Sequence, residues 1–94
     1  MEFEWDDGKA TANQRKHGVT FAEAASVFAD PLAAIFADPD HSEDEVRELL
    51  IGHSERNRLL IVSFTERGEY IRIISARVAS AGERRRHEEN PMKG

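Results

Sequence analysis

The sequence predicts an α+β fold, with two N-terminal helices packed on an antiparallel β-sheet and a helix at the C-terminus. Three observations carry this expectation. Helix caps and helical apolar spacing are confined to the two ends of the chain. Three strand-like runs follow one another between residues 46 and 77, joined by hairpin-length connections. Helices and strands are therefore segregated, which argues against βαβ units. At 94 residues the chain is expected to form one domain, 1–94, near the lower end of what folds on a single core.

The elements follow in order. "FEW", Phe3 to Trp5, is a short apolar opening expected to form an edge strand. In "DDGKATANQRKHG", Asp6 or Asp7 caps a first helix, Arg15, Lys16 and His17 suit the negative end of its dipole, and Gly18 is placed to stop it. Its inward stripe, Ala10, Asn13 and His17, offers little hydrocarbon. Thr20 and Glu23 form a capping box for a second helix, whose apolar stripe is Phe21, Ala24, Ala25 and Phe28 and whose end is Pro31. "LAAIFAD" reads as a short strand, although its alanines also admit a helix, and residues 38–46 read as a charged loop. Strands are then expected over Val46–Ser54, Arg58–Glu66 and Glu69–Arg77, with turns around Asn57 and Gly68. The near-continuous apolar run Leu59–Phe64 suggests a central strand covered on both faces. Ser80 and Glu83 form a second capping box that opens the C-terminal helix. After Ala81 that helix has no aliphatic or aromatic residue before Met92, so it has little with which to anchor itself to a core.

Composition narrows the function. The chain is 39% hydrophobic and 33% charged, and it has no cysteine, so no disulfide or thiolate metal site is available. The acidic start lacks the apolar core of a secretory signal, and no apolar run approaches a membrane span, so a soluble, cytoplasmic protein without a membrane partner is expected. The net charge of −5 argues against non-specific nucleic-acid binding, but the charge is unevenly placed. "DPDHSEDEVRE" is acidic, whereas Arg67 to His87 holds six arginines against two glutamates. The acidic run lacks the glycine and spacing of a calcium loop, and the four histidines form no close i, i+4 pair, so no metal and no cofactor is expected. No Gly-rich phosphate loop, Rossmann fingerprint or nucleophile elbow is present.

"FEWDDGKATANQRKHGVTFAEAASVFADP" resembles the N-terminal signature of the BrnT family of bacterial toxins: an F-E-W-D start, a K…N…KHGV helix end, F-x-E-A, and a V-F-x-D-P close. "IRIISAR", followed by "ER", resembles the second signature of that family. The chain departs from the pattern in being acidic and in carrying His87 where the family motif E-R-x-x-Y-E has its tyrosine. The resemblance implies a RelE-like fold and a ribonuclease toxin of a type II toxin–antitoxin pair that blocks translation by cutting RNA. It also implies a BrnA-like antitoxin, through which alone operator DNA would be contacted. RNA, free or on the ribosome, would be the substrate.

A metal-independent endoribonuclease must help a 2′-hydroxyl attack the neighbouring phosphorus and must hold the charge that develops. Guanidinium groups suit the second task because their planar fork matches phosphate oxygens. Arg72 and Arg77 are the leading catalytic candidates. Strand alternation points them to opposite faces unless a bulge intervenes near Ser75. Either could instead form an ordinary salt bridge to Glu48 or Glu66. Arg47, at a strand start, is a further candidate. His17 is a candidate base, or a helix-end cation bonding a carbonyl. Lys16, Arg67 and Tyr70 are candidate RNA contacts, the last by stacking on a base. Arg84, Arg85 and Arg86 are expected to meet the antitoxin. Two other readings remain open on the residues alone: a catalytically inactive antitoxin-binding module, and a small DNA-binding transcriptional regulator.

Overall fold

The structure, a computed structural model, describes residues 1–38 and 46–89. Most of the expected charged loop (residues 39–45, with His41) and the C-terminal residues 90–94 lie outside the described residues. In chain order the elements are β1 (Glu2–Glu4), α1 (Asp7–His17), α2 (Phe21–Ser26), a 3₁₀ turn (Val27–Ala29), β2 (Ala34–Ala37), β3 (Glu48–His53), β4 (Leu59–Arg67), β5 (Tyr70–Val78) and α3 (Ala81–Glu89). The strands form one sheet in the order β1-β5-β4-β3-β2. "LAAIFAD" resolves as strand β2, on the far edge.

The meander β2 to β5 is antiparallel as expected, but β1 pairs with β5 in parallel. The expected antiparallel sheet is therefore a mixed one. The reason lies in packing rather than in local pattern. Phe3 sits opposite Ile71 and meets the Phe28 ring edge-on at 5.1 Å, so burial of this one side chain sets the register of a strand three residues long. Phe28 in turn meets Phe64 at 5.0 Å.

Both faces of the centre of the sheet are used. On the first face α1, α2 and the 3₁₀ turn cover Leu50, Leu60, Val62, Phe64, Ile73 and Ala76, and contribute Val19, Phe21, Ala24 and Val27. On the second face Ala34, Ile51, Leu59 and Ala79 make a smaller cluster with Ile61. Along the rest of that second face Ser63 and Thr65 are buried, while Arg72 is half-buried and Ser75 and Arg77 are exposed. Gly52 is required where β3 passes under the 3₁₀ turn, because a Cβ there would lie 2.8 Å from that of Ala33 and 2.9 Å from the Asp30 carboxylate.

The first helix ends as its sequence indicates. Asp6 caps its start by accepting from the Lys9 N–H, and Gly18, at φ 69°, donates its N–H to the Gln14 carbonyl. The Thr20–Glu23 box closes only halfway. Thr20 Oγ1 accepts the Glu23 N–H, but the Glu23 carboxylate turns inward. It accepts from Ser54 Oγ at 2.7 Å and Arg58 Nε at 2.9 Å, and pairs with the Arg58 Nη2 as well. Arg58, with burial opposing it, holds this carboxyl below the usual carboxylate range. No helix among the described residues is long and apolar enough to cross a membrane.

Candidate active site

A β-bulge makes the site. Ser63 pairs with Ser75 but Phe64 pairs with Ile73, so Ile74 is an extra residue on β5. Before the bulge Arg72 lies opposite Thr65; after it Ser75 and Arg77 lie opposite Ser63 and Ile61. On β4, residues 61, 63 and 65 share one face, so the bulge turns Arg72 and Arg77 to the same, open side of the sheet. Without it they would point apart. Tyr70 and Arg67, paired beside the Gly68 turn, continue the same stripe.

The two arginines do not converge on one point. Their partners on β4 are four residues apart, about 13 Å along the strand. Arg77 lines a cleft of about 410 Å³ with His17, Arg47, Asp38, Ser63 and Ser75, floored by Leu49, Ile61 and Ala76. Arg72 lies outside that lining and pairs with Glu4 at 2.7 Å, across the β1–β5 ladder. The salt-bridge partners considered from sequence, Glu48 and Glu66, are thus replaced by Glu4 for Arg72 and Glu83 for Arg77.

His17 reaches the cleft because α1 lies along the edge of β5 that β1 leaves bare. β1 covers only Tyr70 to Arg72. Beyond it, Asn13 substitutes for a neighbouring strand: its Nδ2 donates to the Ala76 carbonyl at 2.9 Å, and its Oδ1 accepts the Ala76 N–H at 3.0 Å. Nδ2 also donates to the Val19 carbonyl at 2.9 Å. Asn13 is buried, and one turn later on the same stripe stands His17. Since Gly18 already closes the helix end, the ring is not required as its cap.

Arg77 holds Glu83 with both ends of its fork, each at 2.8 Å. Glu83 also accepts the Ser80 N–H at 2.8 Å while Ser80 Oγ accepts the Glu83 N–H at 3.2 Å, so the second capping box closes completely. Arg77 pulls the Glu83 carboxyl down to about 2, against burial and with help from Ser80. This depressed value has a sign. The contact is fully present above the unfolded value near 4.5 and is lost as pH falls through about 2. Protection of the amides in the first turn of α3, relative to the unstructured rate at the same pH, is therefore expected to fall between those two values. Protection there that stays level down to pH 2 would show that the ion pair does not hold the helix.

Arg47 is half-buried just before β3, and its carbonyl accepts the Asp38 N–H at 3.1 Å. Lys16 is exposed on the last turn of α1, and Arg67 and Tyr70 are exposed at the β4–β5 turn. Arg85 and Arg86 are exposed on α3, and Arg84 is half-buried, 3.9 Å from Glu88. No residue of α3 is buried. Its last turn stands by the sheet through His87, whose ring lies 6.3 Å from that of His53. Asp38, Ser63, Ser75 and Glu83 were not singled out from sequence as site residues. The serines read as ordinary strand positions, and the pointers to Glu83 are its capping box with Ser80 and the "ER" that follows "IRIISAR". Among the described residues no group of three or more histidine and carboxylate side chains converges as metal ligands.

The family model for the ribonuclease toxin BrnT of type II toxin–antitoxin systems matches residues 5–83. The chain belongs to the BrnT family. The fold agrees: the 1.1 Å crystal structure of the Brucella abortus ribonuclease toxin BrnT is similar with a TM-score of 0.65 at 30% identity, over 85% of this chain and 97% of that one. No curated protein sequence matches the chain. The segment matched to the BrnT family takes in every residue that lines the cleft and stops at Glu83, so Arg84–Arg86 lie beyond it.

Proposed function

We propose that this chain is a metal-independent endoribonuclease, with the RelE-like arrangement its resemblance implies, and that it inhibits translation by cleaving RNA at the Arg77 cleft. The observation that supports this reading is the convergence of Arg77, Arg47 and His17 with two serine hydroxyls on an open sheet face, in a member of a ribonuclease toxin family. His17 takes the proton of the 2′-hydroxyl as that oxygen attacks phosphorus. Arg77 and Arg47 hold the non-bridging oxygens, where negative charge grows in the transition state. The P–O5′ bond breaks as the 2′ oxygen bonds to phosphorus, the leaving 5′ oxygen takes a proton from solvent water, and the products are a 2′,3′-cyclic phosphate and a 5′-hydroxyl. The stripe Arg72, Arg67 and Tyr70 carries the flanking strand along the sheet, with Lys16 at the other rim. Local guanidinium charge serves this purpose although the net charge is −5.

Expression of the chain alone in bacteria tests the reading. Growth arrest with loss of RNA is expected; normal growth and intact RNA would reject it in favour of an inactive binding module. His17→Ala is expected to slow cleavage on the order of a hundredfold while the thermal melt stays near wild type. A mutant that melts early but still cleaves would return His17 to a structural role.

The family implies an antitoxin, and we propose that a BrnA-like protein meets α3 through Arg84–Arg86, bringing operator DNA only indirectly. A helix with no buried residue is marginal in water. Residues 85–89, beyond the turn that Glu83 and Ser80 hold, are therefore expected to exchange amide hydrogens quickly in the free chain and slowly in the complex. Equal exchange in both states would place the antitoxin elsewhere.

A further inference from the structure

The hydrogens of Arg77 are unequally used. Nη1 and Nη2 each donate one to the Glu83 carboxylate, and Nη1 also faces the Val78 carbonyl at 3.5 Å. A guanidinium is planar, with five N–H bonds in fixed directions. What remains is the Nε–H and the second hydrogen of Nη2, which point the same way and have no partner among the described residues. These two form a side-on fork that matches two oxygens of a phosphate group.

We propose that Glu83 is a positioning residue: it grips one end of the Arg77 guanidinium so that the side-on fork is presented to a single phosphodiester in the cleft. Glu83 is itself fixed from a second direction, since it closes the capping box with Ser80. If its carboxylate swings away, the Ser80 N–H loses its acceptor and half of the capping box opens. Arg77 therefore meets its ligand with little rotamer freedom left to lose. This inference rests on the RNA-cleavage reading for its reaction, but not for its binding geometry.

The sign of one substitution separates positioning from competition. Glu83 carries negative charge close to the place of a phosphate, so on charge alone Glu83→Gln should tighten binding. If Glu83 positions Arg77, the same change weakens it. Glutamine keeps the capping box, so the start of α3 is retained. Binding of a short mixed-sequence 2′-O-methyl RNA, which cannot be cut, is measured for wild type, Glu83→Gln, Arg77→Ala and the double variant. RNA cleavage is measured for the same four. The expected result is about fivefold weaker binding and about a tenfold lower kcat for Glu83→Gln, with a double variant no worse than Arg77→Ala alone. Tighter or unchanged binding, or effects that add in the double variant, would overturn the proposal. Should Glu83→Gln melt early, Arg77→Lys decides: it keeps the ion pair without the fork, and wild-type binding by that variant would overturn it. A wild type that binds the analogue but cuts no RNA removes the nuclease reading and leaves the binding series to judge Glu83. A wild type that does neither overturns both.

Discussion

Replacing Asn13 with alanine is expected to lower the unfolding free energy by about 3 kcal/mol, measured by chemical denaturation. The change deletes three hydrogen bonds of 2.9 to 3.0 Å at a buried position. It leaves the Ala76 N–H and carbonyl and the Val19 carbonyl without their partner, and each such group costs about 1 kcal/mol or more when desolvated. The loss is also local. The Ala76 amide, protected by Asn13 Oδ1 in the wild type, should exchange quickly in the variant. Ser75 and Arg77 flank that peptide, so cleavage should fall with it. A destabilisation under about 1 kcal/mol would show that α1 is held to β5 by apolar packing and not by this amide.

Arg77→Ala is expected to slow RNA cleavage by a hundred- to a thousandfold, as loss of one transition-state donor typically does. It also removes the partner of Glu83, so a circular dichroism melt must accompany the rate. Arg77 is 44% exposed, and a pair of that kind contributes little to global stability, so the melt should move only slightly. Arg72→Ala is the informative contrast. Arg72 shares the open face but lies outside the cleft and holds Glu4. Its removal should weaken RNA binding more than it slows the chemical step. If Arg77→Ala cuts at the wild-type rate, the site assignment is wrong; if it unfolds, Arg77 is a structural residue.

The candidate site was legible in its residue types and not in its grouping. The chemistry of phosphate called for arginines, on which basis Arg72, Arg77 and Arg47 could be named, and the need for a proton acceptor pointed to His17. Whether Arg72 and Arg77 share a face turned on a single extra residue, Ile74, in a run of apolar residues that shows no gap or glycine. Asn13 could be seen to fall on an inward stripe poor in hydrocarbon. Its bonding to Ala76, 63 positions away, could not. Glu23 reads as a capping residue by local spacing, yet its carboxylate is taken by Ser54 and Arg58, which outbid a terminal N–H once the strands pack.

By itself the sequence determined the order and type of the elements, because capping residues and apolar periodicity act within a turn or a strand. Leu59–Phe64 could be read as the covered central strand, and Gly18 as a helix stop, for that reason. Tertiary structure alone decided the parallel pairing of β1, the side of the sheet on which each arginine stands, and the grip of Glu83 on Arg77. Each of these depends on which segments meet across the fold, and neither propensity nor spacing within one segment encodes the identity of its distant neighbour.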